Sequence, residues 1–197
     1  MADPRLLWLV LWQTPWKVAD NTWRRSLTND VPERALMLLD PAALRARQSL
    51  AGLPPKPADT LLALVNFSPE QQLKALHIVA EVVERGAGGH DLDHETRLWC
   101  RRLAKAMMPG QWVYREREDA PGELIGLGLL RQWLTVSSWS RVRYLYRKPW
   151  VDEVEHWGGD APPRKLNQLW NAVIWLISQS PATAAPSAPH VQEGDAS

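Results

Sequence analysis

The chain has 197 residues, 45% of them apolar and 23% charged, with 23 Lys plus Arg against 22 Asp plus Glu for a formal net charge of +1. That near-balance argues against nucleic-acid binding through global charge, and the length suits one domain that buries its core without metal or disulfide. The single cysteine excludes an intrachain disulfide, and the longest apolar run, residues 6–12, is far short of the roughly 18 to 20 residues that cross a bilayer.

Residues 1–57 read as a Trp- and Pro-rich helical segment packed on the core, cut into short pieces by Pro4, Pro15, Pro32, Pro41, Pro54, Pro55 and Pro57. One acid, one base and no small-residue cleavage site at its start speak against a signal peptide, so a cytoplasmic protein is expected. Trp8 and Trp12 share a face in a helix and in a strand alike. Asp40-Pro41 reads as the cap of a helix running to about Leu50 and stopped by Gly52, and residues 53–57 as an extended spacer with polyproline character.

The main helical domain is predicted over 58–180. Ser68-Pro69-Glu70-Gln71 is a capping-box start, followed by Leu73, Leu76, His77, Ala80 and Val83 at helical spacing and a stop at Gly86. A second helix begins near Asp91 with Leu92, Thr96, Trp99, Cys100, Leu103 and Met107 on one face, and ends at Pro109-Gly110. A third runs over about 122–136 with Leu127, Leu130, Trp133 and Leu134 as its stripe. Ser138 or Ser140 then caps a short helix bearing Val142, Leu145 and Tyr146. Pro149 opens another, with Trp150, Val151, Val154 and Trp157 inward, Asp152 and Glu153 near its start, and Gly158-Gly159 at its end. A last helix, about 164–178, carries Leu166, Leu169, Trp170, Val173, Ile174 and Ile177. The Pro, Ala, Ser and Thr of 181–197 predict a disordered tail that can be removed without loss of folding. The fold class expected is all-α, monomeric in isolation.

The segment Gly88-Gly89-His90-Asp91-Leu92-Asp93-His94-Glu95 holds metal-ligating residue types, but in no zinc or calcium spacing, and reads as a glycine turn before an acidic helix start. Gly126-Leu127-Gly128 lacks the third glycine and the preceding strand of a dinucleotide loop and reads as close helix packing. Cys100 reads as a buried inert thiol and His77 as a core or interface histidine. No catalytic, cofactor-binding or metal-ligating set is expected. Twelve Trp against three Tyr and one Phe could build a stacking platform, yet most fall at core spacing, which favours packing and interface anchoring. Residues 131–148 contain Arg131, Arg141, Arg143, Arg147 and Lys148 and no acid. With Trp139 and Tyr144 as anchors, they read either as a docking face for an acidic partner or as a solvated charged face.

Four segments together resemble a known family: Phe67-Ser68-Pro69-Glu70-Gln71-Gln72-Leu73-Lys74-Ala75-Leu76, then Leu98-Trp99-Cys100-Arg101-Arg102-Leu103, then Gly128-Leu129-Leu130-Arg131-Gln132-Trp133-Leu134, then Trp139-Ser140-Arg141-Val142-Arg143. Their order is similar to that of the SctK family of bacterial type III secretion systems (HrpD-, YscK-, OrgA- and MxiK-like proteins), over about 58–150. The resemblance implies a mainly helical, non-enzymatic adaptor of the cytoplasmic sorting platform at the inner face of the inner membrane. It implies as partners the cytoplasmic domain of the inner-membrane ring protein (SctD-like) and the platform pod protein (SctQ-like), with no small-molecule substrate, nucleic acid or membrane insertion. The partner-binding residues expected are Arg131, Trp139, Arg141, Arg143, Arg147 and Lys148. Arg141 and Arg143 are expected to be exposed, so that changing both to Glu leaves the fold intact. The alternatives are a helical nucleic-acid-binding or regulatory protein using 131–148, and a small hydrolase with metal at His90 and His94.

Overall fold

Proline and capping chemistry punctuate the chain throughout the computed structural model, which describes residues 3–28, 54–90, 92–113 and 119–179. Helix α1 (Pro4–Gln13) starts where the Asp3 carboxylate accepts the Arg5 amide at 2.9 Å, with Pro4 in the first turn. Trp8, Leu11 and Trp12, spaced i, i+3 and i+4, form its buried face. A 3-10 turn (Pro15–Lys17) leads to α2 (Asn21–Thr28). Helix α3 (Asp59–Asn66) buries Leu61, Leu64 and Val65. Its end is closed from outside: the buried Gln72 side chain donates to the Phe67 carbonyl at 3.2 Å, so α3 cannot shift without α4.

Helix α4 (Pro69–Val83) has the full capping box, with the Gln71 amide donating to Ser68 Oγ at 3.2 Å and the Ser68 amide to Gln71 Oε1 at 3.0 Å. Apolar on nearly every side, it packs against α5 (His94–Met107), α6 (Gly122–Trp133) and α9 (Pro163–Gln179). Ala75, Leu76, Ile78 and Val79 are wholly buried there, and each large one contributes about 1.5 to 3 kcal/mol relative to exposure. Helix α9 buries all six residues of its predicted stripe, and Trp170 stacks on Trp133 with ring centroids 5.6 Å apart. Among the described residues every regular element is helical, so the fold is all-α. None of those helices is long and apolar enough to cross a membrane.

Several boundaries differ from the predicted ones, each for a local reason. Helix α5 begins at His94, because Asp93 is the residue whose carboxylate accepts the Thr96 amide, at 2.7 Å. Helix α6 stops at Trp133, since Leu134 turns extended. The cap of α7 (Val136–Val142) is Thr135 rather than Ser138 or Ser140: Thr135 Oγ1 accepts the Ser138 amide at 3.2 Å, and Ser138 is buried inside the helix. A 3-10 turn (Arg143–Leu145) then shifts the phase, so Val142, Tyr144 and Tyr146 turn inward and Leu145 only partly. In α8 (Lys148–Glu155) Val151 and Val154 are buried, whereas Trp150, and Trp157 just beyond its end, are half-buried. The predicted 41–50 helix and the 181–197 tail lie outside the described residues.

Candidate functional site

The end of α6, helix α7 and the end of α8 surround a cleft of about 550 Å³, lined by Arg131, Gln132, Leu134, Val136, Trp139, Ser140, Arg143, Glu155 and Gly159. Arg131 lies in the last turn of α6, where a cation is favoured, and its Nη1 donates to the Trp157 carbonyl at 2.6 Å. Trp139 is 7% exposed, its indole N–H donating to Glu155 Oε1 at 3.1 Å. The same oxygen accepts Arg143 Nη1 at 2.9 Å. One carboxylate thus holds both the aromatic wall and one of the two cations. Burial acts to lower Arg143, but the hydrogen bonds to Glu155 and Tyr144 outweigh it and hold the guanidinium above its ordinary value. Gly159, at φ +135°, lets the Gln132 side chain lie where a Cβ would be, and Gln132 Oε1 accepts the Ala161 amide at 3.2 Å.

The six residues singled out in the basic stretch do not form one exposed face. Arg131, Trp139 and Arg143 line the cleft. Arg141, expected to be exposed, is 2% exposed and lies over the Trp12 ring at 4.7 Å. Its Nη1 donates to Ser140 Oγ at 3.2 Å, while its buried Nε finds no acceptor. Burial, against a smaller opposing effect of Tyr144, keeps the group below its ordinary value. Arg143, likewise expected to be exposed, has only a quarter of its side chain in solvent and lies near the rings of Trp23 and Tyr144. The reason in both cases is the amino-terminal segment, which covers this stretch and supplies the Trp12 ring to Arg141 and the Trp23 ring to Arg143. Lys148 pairs with Asp152 at 2.6 Å, and the exposed Arg147 lies over Trp150 at 5.0 Å. Tyr144 is 2% exposed, a core residue rather than a surface anchor. Gln132, Leu134, Val136, Ser140, Glu155 and Gly159 are not among the partner-binding residues expected from the sequence; Glu155 and Gly159 reach the cleft through a chain reversal that local spacing does not encode.

No family model, curated protein or solved structure matches this chain.

The remaining constellations resolve into structure. Asp93 caps α5, and the Thr96 hydrogen bonds hold its carboxyl below the ordinary range. Among the described residues no group of three or more His, Cys, Asp or Glu could hold a metal ion. Gly126 lies against α4, where a Cβ would come within 2.6 Å of the Leu76 Cα, and Gly128 lies against the Trp157 ring, 2.9 Å from such a Cβ. Cys100 is wholly buried; burial, with the Glu81 charge adding, pushes its thiol up to about 12. His77 stands 3.7 Å from the Glu123 carboxylate across the α4–α6 contact. All twelve Trp lie among the described residues, and Trp175 alone of them is exposed, at 60%. The cleft therefore offers cations, an anchored indole and apolar side chains: the groups of a recognition surface.

Proposed function

We propose that this chain is a non-enzymatic adaptor of the type III secretion sorting platform, bridging the SctD-like ring protein to the SctQ-like pod protein at the cytoplasmic face of the inner membrane. What supports the reading is where the four resembling segments lie. The first three run through α4, α5 and α6, of which α4 packs against both others, and the fourth is the end of α7 with Arg143. Their apolar residues Ala75, Leu76, Cys100, Leu129, Leu130 and Val142 belong to the core, and their polar and aromatic members Arg131, Trp139 and Arg143 meet at one cleft. A nucleic-acid role for 131–148 is less well supported, because Arg143 and Lys148 are paired with carboxylates and Arg141 is buried. The test is co-purification of the full chain with the ring protein's cytoplasmic domain and the pod protein of the host's own apparatus. Both are expected to elute with it as one assembly. Recovery of one or neither would overturn the bridging role.

A further inference from the structure

The charges and apolar surface of the cleft are matched to an occupant of a particular kind. Glu155 is spent inside the wall, its Oε1 accepting both Arg143 and Trp139. Arg131 has no such counter-charge: its Nη1 meets the neutral Trp157 carbonyl, and among the described residues no carboxylate pairs with it. Two guanidinium groups against one carboxylate leave the lining with a net positive charge, and Arg131 retains donors in the planar fork that fits a carboxylate. At the rim stands Val136, 87% exposed, an aliphatic side chain with almost nothing over it. Leu134 and Trp139 continue the apolar surface inward. The indole N–H of Trp139 is already tied to Glu155 and the ring is 7% exposed, so it serves as a fixed wall and offers no open face for a base to stack on.

We infer that this cleft takes a short acidic and apolar peptide segment of a partner protein, one carboxylate of which is held by Arg131 while a neighbouring apolar side chain lies on Val136 and Leu134, with the edge of Trp139 behind them. The volume of about 550 Å³ suits a few side chains rather than a folded surface. The inference rests on the adaptor reading only in taking the ligand to be a protein segment.

The test selects random short peptides by display on the full chain and measures the winners against variants by fluorescence anisotropy. Selected peptides are expected to carry Asp or Glu beside Leu, Phe or another large apolar residue. Binding should weaken about tenfold or more in Arg131→Gln and in Val136→Asp, and by less than about twofold in Arg147→Gln, a basic residue outside the cleft. Val136 opens α7, where a negative charge suits the helix start, so Val136→Asp keeps the fold and decides the matter even if Arg131→Gln destabilises the chain. Basic or uncharged winners, no winners, undiminished binding to Val136→Asp, or displacement by inorganic phosphate or a single-stranded oligonucleotide would each overturn the inference. Normal peptide behaviour without recovery of the ring and pod proteins would remove the adaptor reading and leave the cleft. Recovery of both without any acidic winner would do the reverse.

Discussion

Arg141 shows how far a charged side chain can depart from its surface role. Its guanidinium is retained at 2% exposure by the Trp12 ring and Ser140, with Nε unmatched. A buried charge held this way adds little net stability, whereas an acid in its place would lie out of water against the negative face of the Trp12 ring, a cost that the nearby Arg143 charge offsets only in part. Arg141→Met, which keeps the stem on Trp12, is expected to stay within about 1 kcal/mol of wild type, and Arg141→Glu to lose about 3 to 5 kcal/mol. Urea unfolding of each variant checks this, and equal midpoints would contradict the burial. Cys100 gives a pH signature of its own. An ordinary thiol titrates at 9.0 and this one is pushed up to about 12, so above pH 9 the unfolded chain releases a proton that the folded chain keeps. The contribution is complete below 9.0 and is lost as pH rises toward 12, with a limiting slope of about 1.4 kcal/mol per pH unit. Cys100→Ala should therefore lose stability less steeply than wild type over that interval, as read from denaturation midpoints against pH; parallel curves would exclude a buried thiol.

Helices α4 and α6 approach closely because Gly126 has no side chain, and here a single methyl group sets the spacing. In Gly126→Ala the new Cβ meets the Leu76 backbone, which cannot rotate away as a side-chain tip could. The expected loss is about 3 kcal/mol in a urea midpoint, against less than about 0.5 kcal/mol for Gly110→Ala, where nothing lies within 4 Å. The turn after α4 is organised by burial of charge. Glu81, 5% exposed, accepts the Gly86 amide at 2.9 Å and the Gly88 amide at 3.1 Å and lies 3.5 Å from Arg97 Nη1 of α5. Arg97 in turn donates Nε to the Leu92 carbonyl at 3.0 Å and Nη2 to that of Gly89. In its described residues the acid-rich stretch is a turn before a helix, as read from the sequence, and a carboxylate from the preceding helix and an arginine from the following one hold its shape.

Across the molecule, the amino-terminal segment is stapled to the 139–148 region. The Asp20 amide donates to the Tyr144 carbonyl, the Trp23 indole to that of Tyr146, and the Lys148 amide to Thr22 Oγ1, each at 2.8 Å. Trp23 also packs on Tyr144 at 4.6 Å between centroids and lies beneath Arg143 and Lys148. Within the same amino-terminal segment, Trp12 covers Arg141 and Trp23 lies against Arg143. Trp23→Ala is expected to cost about 3 to 5 kcal/mol and to raise amide exchange at Asp20 and Lys148 together, measured by hydrogen exchange. Continued protection of both amides would mean that the backbone bonds hold without the indole.

Helix content, the Ser68 capping box, the α9 stripe and the buried state of Cys100 were legible beforehand, because each depends on neighbours within a turn or two along the chain. Leu166 and Trp170 must share a face in any helix, and Ser68 and Gln71 must meet wherever a helix starts between them. The basic stretch was legible only as composition. Its exposure was misread because the fate of Arg141 and Arg143 depends on Trp12, Trp23 and Glu155, two of them more than a hundred residues away along the chain. Periodicity assigns a side chain to one face of its own helix and carries no information about which distant ring will cover it. Whether a guanidinium is a surface charge, a buried cation over an indole or the wall of a cleft is set by the desolvation and counter-charge it meets there, and those arise only when the chain brings remote segments together.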